Sequence, residues 1–177
     1  YHYTDLLKSS YEEAARYSLI AIVILVFLHF RSPLSVVLSL VPVGVGFLWL
    51  AGLMGWLGIE LNIVNALLSS ISIGLGVDFT IHVLWRIKWE LASGNDYAGS
   101  ITSTLKTIGR GIIINACSVM LGFAVLFLSA FPLIRSFAFL IIVSLILCLV
   151  SGLVLVPAMC YLFRPEFLNK PIKNTYE

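Results

Sequence analysis

Residues 33–59 contain no charged side chain, and neither do residues 111–134 or 136–163. Each run exceeds the roughly 20 apolar residues that carry an α-helix across the hydrocarbon core of a bilayer. In lipid every backbone N–H and C=O must be satisfied internally, so runs of this length are read as membrane helices. Charged residues make up 11% of the 177-residue chain, against about 25% in soluble domains. The chain is therefore read as an all-α integral membrane protein.

Shorter or less uniform stretches complete the pattern. The sequence predicts five spans, at 14–30, 33–57, 61–85, 111–131 and 136–163, making a transmembrane domain over 14–163. Residues 1–17 are polar and amphipathic, and read as the end of an extracytoplasmic region whose helix runs into the first span. Arg31-Ser32-Pro33 breaks that span, and Pro33 suits the first turn of the next. Pro42 and the glycines at 44, 46, 52, 55 and 58 read as a kink and as close helix approaches. Residues 86–110 form a loop, with a turn at Ser93-Gly94-Asn95-Asp96 and a short interfacial helix at Tyr97–Thr107. Residues 164–177 form a poorly ordered polar tail. Cys117, Cys148 and Cys160 lie in apolar runs and read as small buried hydrophobes. They carry no metal-ligand spacing, and no cofactor or metal is expected.

Eight of the 11 basic residues fall in one set of connections: Arg31, Arg86, Lys88, Lys106, Arg110, Arg164, Lys170 and Lys173. Basic residues mark the cytoplasmic side. This puts the N-terminus outside and the C-terminus inside, an arrangement that implies a preceding span. Trp49, Trp56, Trp85 and Trp89 fit interfacial belts. The net charge of +2 gives no reason to expect a nucleic-acid partner.

One acid breaks the apolar pattern. Asp78 stands inside the third span, within Gly74-Leu75-Gly76-Val77-Asp78-Phe79-Thr80-Ile81-His82. An ionised carboxylate at mid-membrane costs about 2.5–3.5 kcal/mol on insertion scales, so such a group is expected to face protein or water and to serve as a proton site. At 100° per residue, Gly74, Asp78 and His82 share one helix face. Gly74 leaves room beside the carboxylate, and His82 is placed to share its proton. Gly74, Gly76 and Phe79 are assigned to the support of this relay. Asn115 and Ser118 in the fourth span are candidates to meet it. Asn62, Asn65, Ser69 and Ser72 lie on a second face with Gly76 and Thr80, read as a packing seam stitched by hydrogen bonds.

With these residues in place the chain resembles the resistance–nodulation–division (RND) superfamily. The closest likeness is to its branch of mycobacterial large membrane proteins, lipid exporters and sterol-sensing-domain proteins. The likeness rests on the Gly74–His82 run, Gly109-Arg110-Gly111-Ile112, Gly122-Phe123, Ser129-Ala130-Phe131-Pro132, Arg135-Ser136-Phe137 and Val156-Pro157-Ala158, in family order over residues 1–165. The resemblance implies five helices of a six-helix half, spans two to six of one half. The polar tail favours the second half, spans eight to twelve. It further implies that Asp78 carries protons whose flow drives export of hydrophobic or lipid-like substrates. In the lipid-exporter branch Tyr usually follows this aspartate, where Phe79 stands here. The partners implied are the bilayer, the other half with its extracytoplasmic domains, and further copies in a homo-oligomer, in a prokaryotic plasma membrane. The alternative is a sterol-sensing-type domain that binds lipid and signals without transport. An intramembrane aspartyl protease needs a second aspartate facing the first, which the apolar runs do not supply. The chain shows no phosphate-binding glycine-lysine motif.

Overall fold

The computed structural model describes residues 2–59 and 63–169. Among these residues seven α-helices follow one another: α1 (His2–Phe30), α2 (Pro33–Leu57), α3 (Ile63–Ala92), α4 (Tyr97–Thr104), α5 (Arg110–Ala124), α6 (Pro132–Phe163) and the short α7 (Glu166–Asn169). No strand occurs among the described residues. Among the described residues three stretches are long and apolar enough to cross a membrane: α2, the continuous Tyr97–Leu128, and α6. α1 adds a shorter apolar helix at Arg16–Phe30. The all-α membrane architecture expected from the uncharged runs is what the structure shows.

Helix ends fall where local chemistry puts them. Ser32 is extended and Pro33 opens α2, as its spacing predicts. Proline has no N–H to lose in a first turn, and its fixed φ suits the helix. Ser93 to Asp96 form the expected turn. Gly94 takes a positive φ of 92°, and the Asp96 carboxylate accepts the Gly99 N–H at 3.1 Å to cap α4. The predicted turn at Glu60-Leu61-Asn62 lies outside the described residues, as do residues 170–177.

Three expectations are corrected. First, residues 86–110 are not a loop with a separate short helix. α3 continues to Ala92, and α4 passes through a π-helical turn, Leu105–Gly109, straight into α5. Gly109 does not break the helix because it is buried against α6, with its missing Cβ 4.0 Å from Leu153 Cδ2. Tertiary packing overrides a glycine penalty of about 1 kcal/mol. Second, the chain after α6 does not leave the bundle at once. Arg164 turns it through a left-handed conformation, φ 42°. Phe167 and Leu168 are then buried, with the Phe167 ring edge-on to Phe30 at 5.8 Å. Third, Cys117 is exposed on α5, whereas Cys148 and Cys160 are buried as expected.

α6 is the central helix, packed against α2, α3, α4 and α5. Its contact stripe is made of small residues. Cys148 Sγ fills the space beside two glycines, lying 3.2 Å from where a Cβ on Gly46 would stand and 3.1 Å from one on Gly76. Hydroxyls cross the same seam. Ser144 donates to Ser72 Oγ at 2.7 Å, and Ser151 donates to the Pro42 carbonyl at 2.8 Å. Thr80 shares its hydroxyl between the Val77 and Ser39 carbonyls. Lipid supplies no hydrophobic drive between helices, so close packing and hydrogen bonds of this kind hold them together. Ser72, Gly76 and Thr80 thus form the seam read from the sequence. The side chains of Asn62, Asn65 and Ser69 lie outside the described residues.

The corner between α3 and α4 is clamped by a buried carboxylate. Glu90 accepts from Arg86 Nη2 at 2.6 Å, from Ser103 at 2.8 Å and from Asn95 at 2.8 Å. The Ser103 hydroxyl, with help from Arg86 and Asn95, holds the Glu90 carboxyl below its usual range of about 4.5, against burial that pushes it up. A depressed carboxyl stabilises the fold above its unfolded pKa, and that stability is lost as pH falls through the folded value. The expected result is a thermal midpoint that is flat above about pH 5 and falls below about pH 4.5. Glu90→Gln should lower the midpoint at neutral pH and flatten the acid limb. Denaturation scans across pH check this, and an acid limb of unchanged shape in the variant would remove Glu90 as its source.

Candidate functional site

α3 presents two unlike faces because its sequence alternates small and bulky groups at helical spacing. Ser72, Gly76, Phe79, Thr80, Val83, Leu84 and Ile87 are buried among the neighbouring helices. On the opposite side Ile71, Gly74, Asp78, His82, Trp85 and Trp89 are exposed. Asp78 and His82 sit one turn apart with His82 Nε2 3.5 Å from Asp78 Oδ1. Their side chains are 50% and 56% exposed. The acid expected to face an interior therefore stands on the outer surface of this five-helix assembly of α1, α2, α3, α4–α5 and α6.

Gly74 lies one turn before the carboxylate, and a Cβ there would meet nothing within 4 Å. The notch expected beside Asp78 is open. Gly76 and Phe79 are placed differently. Both point into the packing seam, Gly76 toward Cys148 and Val43, and Phe79 toward Gly152. They anchor the helix and do not touch the carboxylate. Asn115 and Ser118 are exposed on α5, which packs on α6, and the Ser118 hydroxyl donates back to the Ile114 carbonyl at 3.0 Å. The structure brings together Gly74, Asp78 and His82. It does not bring Asn115 or Ser118 to them.

One residue of this face was not found by sequence reasoning. His29, in the last turn of α1, lies with its ring centroid 5.0 Å from the Trp85 indole. Trp85 is one turn beyond His82, so the line Gly74, Asp78, His82, Trp85 meets a second imidazole at its end. Nothing in the spacing within α1 marks His29. Only the packing of α1 on α3 brings it here.

A carboxylate beside an imidazole can exchange a proton, provided water or a protein group reaches them. Hydrocarbon cover would leave the ionised acid at a cost of about 2.5–3.5 kcal/mol. Among the described residues no group of three or more His, Cys, Asp or Glu is arranged to hold a metal.

Comparison with known proteins gives the setting. A model described as the MMPL family matches residues 3–176. A putative membrane protein of Methanocaldococcus jannaschii, MJ1562, is 30% identical over 155 residues, covering 88% of this chain and 40% of that protein. Protein patched homolog 1 of Caenorhabditis elegans is 30% identical over 118 residues, 66% of this chain and 8% of its own. The probable trehalose monomycolate exporter MmpL3 of Mycobacterium leprae is 28% identical over 130 residues, 70% of this chain and 14% of its own. The chain thus spans less than half the length of each of these relatives.

Proposed function

The chain belongs to the MMPL family, and from that premise we propose that it forms part of a proton-motive-force-driven exporter of hydrophobic or lipid-like molecules, with Asp78 as the coupling carboxylate. The observation that carries this reading is the exposed Gly74–Asp78–His82 line on a helix that is otherwise packed into a membrane bundle. An ionisable group on such a face requires cover other than hydrocarbon. In this reading the remaining part of the full-length protein supplies that cover, and α1 and α3 complete five spans. The exporter named among the relatives supports transport as the class of activity, rather than enzymatic turnover. The full-length protein would act as a homo-oligomer in a prokaryotic plasma membrane, with the basic ends of the helices cytoplasmic. Protons are the coupling ion, and no other cofactor enters.

Asp78 exchanges a proton as the protein alternates between inward and outward states. His82, at 3.5 Å, receives and returns it. The test uses the full-length protein in proteoliposomes with an imposed pH gradient, following efflux of a hydrophobic dye. Efflux should stop when a protonophore collapses the gradient. His82→Gln should slow efflux by about 100-fold, the low end for a positioned proton-transfer group, without reversing its dependence on the gradient. Efflux indifferent to the protonophore would sink proton coupling, and a His82→Gln rate equal to wild type would remove His82 from the relay.

A second reading, a lipid-binding signalling domain without transport, is favoured by the likeness to a patched homolog. It predicts lipid binding that survives loss of the Asp78 carboxylate.

A further inference from the structure

We propose that a groove on the outer face of the α4–α5 helix binds the phosphate headgroup of an anionic phospholipid. The groove, about 530 Å³, is lined by Ala98, Gly99, Thr102, Ser103, Lys106 and Thr107. The lining recurs every three to four residues, so it is a single stripe along the helix, and the exposed Arg110 lies one turn past Lys106. The π turn at Leu105–Gly109 carries its Lys106 and Thr107 end. Such turns insert a residue into an α-helix and often mark functional positions.

The charge of this stripe is uncompensated. Two carboxylates lie near it, and both are engaged. Glu90 is held by Arg86, Asn95 and Ser103, and Asp96 caps Gly99 N. Among the described residues no acid lies within ion-pair distance of Lys106 or Arg110. The Thr102 and Thr107 hydroxyls donate to the Ala98 and Ser103 carbonyls of their own helix. A rotation about χ1 turns either donor toward a ligand. Two cations and two hydroxyl donors suit a phosphate diester, bound at the Lys106 end of the stripe, away from Asp96 at its start.

Depth selects a lipid over a soluble anion. Tyr97–Leu128 is a continuous helix of 32 residues. The roughly 20 residues that cross the hydrocarbon, counted back from Leu128, end at Gly109. Lys106 and Thr107, the near end of the groove, then lie in the headgroup layer, with Arg110 at its edge and able to snorkel. The antiparallel path of the helices brings Arg31, Arg86 and Arg164 to the same end, where basic clusters attract anionic lipid.

The test uses the full-length protein in detergent, titrated with short-chain phosphatidylglycerol and read by native mass spectrometry. Wild type should retain phosphatidylglycerol over phosphatidylcholine. The Lys106→Gln/Arg110→Gln double variant should bind it about 25-fold more weakly, about fivefold for each cation. Lys106→Arg should bind as wild type does. Arg135→Gln, at the opposite end of the helices, should also leave binding unchanged. Circular dichroism confirms that the double variant keeps its helices, as expected for exposed positions. Equal binding by wild type and double variant overturns the proposal. So does displacement of the lipid by inorganic phosphate at equal concentration, which would show a site for soluble anions.

Discussion

Asp78→Asn is expected to abolish gradient-driven efflux by the full-length protein while leaving its fold intact. The amide keeps the shape and hydrogen-bonding reach of the carboxyl but cannot carry a proton. Each proton moved through 100 mV supplies about 2.3 kcal/mol, a bias of about 50-fold on a conformational equilibrium. Without a titrating group that bias has no handle, and accumulation should fall by the same factor or more. The Asp78 side chain points away from the α2–α3–α6 seam and is half exposed, so stability should stay within about 0.5 kcal/mol of wild type. Lumenal pH and dye efflux in proteoliposomes, with a melting curve for each variant, make the measurement. Loss of both fluxes in a folded protein supports the coupling role. Unchanged fluxes would make Asp78 a structural acid and put the lipid-binding signalling reading ahead.

The largest effect on stability is expected at Gly76. A Cβ there would stand 3.1 Å from Cys148 Sγ, 3.2 Å from Val43 Cγ2 and 3.3 Å from Cys148 Cβ. All three approaches are tighter than ordinary van der Waals contact, and they come from two different helices. Gly76→Ala should cost about 1–3 kcal/mol by overpacking, and Gly76→Leu should prevent the three helices from closing. Cys148→Ala removes the nearest sulfur, so Gly76→Ala/Cys148→Ala should recover much of the loss, a coupling a double-mutant cycle reads directly. Gly74→Ala, two residues away on the open face, meets nothing within 4 Å and should be neutral or slightly stabilising, since alanine favours the helix. Equal effects of alanine at 74 and 76 would contradict the packing described for α3.

The pattern of spans was readable because a bilayer reduces the problem to one dimension. Long uncharged runs at 33–59, 111–134 and 136–163 have no other stable form in lipid, and Arg31-Ser32-Pro33 and Ser93–Asp96 carry their own turn chemistry. The loop at 86–110 was misread for the reason that the spans were legible. Polarity and glycine stand for a break only when no neighbour contributes, and Gly109 lies buried in a helix that packs on α6. Residues 164–168 were misread in the same way, since the place of Phe167 depends on Phe30, far away in the chain.

For the site, the sequence alone determined which acid stands within a predicted span and which groups share its side of the helix. Asp78 is the one acid inside a predicted span, and helical geometry places Gly74 and His82 beside it. Spacing of residues on one helix is local, and a local rule settles it. Tertiary structure decided the direction in which that face points. The seam of Ser72, Gly76 and Thr80 turns inward because only small residues let α2, α3 and α6 approach, and this rotates Asp78 outward. It also placed His29 near Trp85 and left Asn115 and Ser118 away from Asp78. Each of these depends on which helix lies against which, a contest of packing between distant segments that no single stretch of sequence contains.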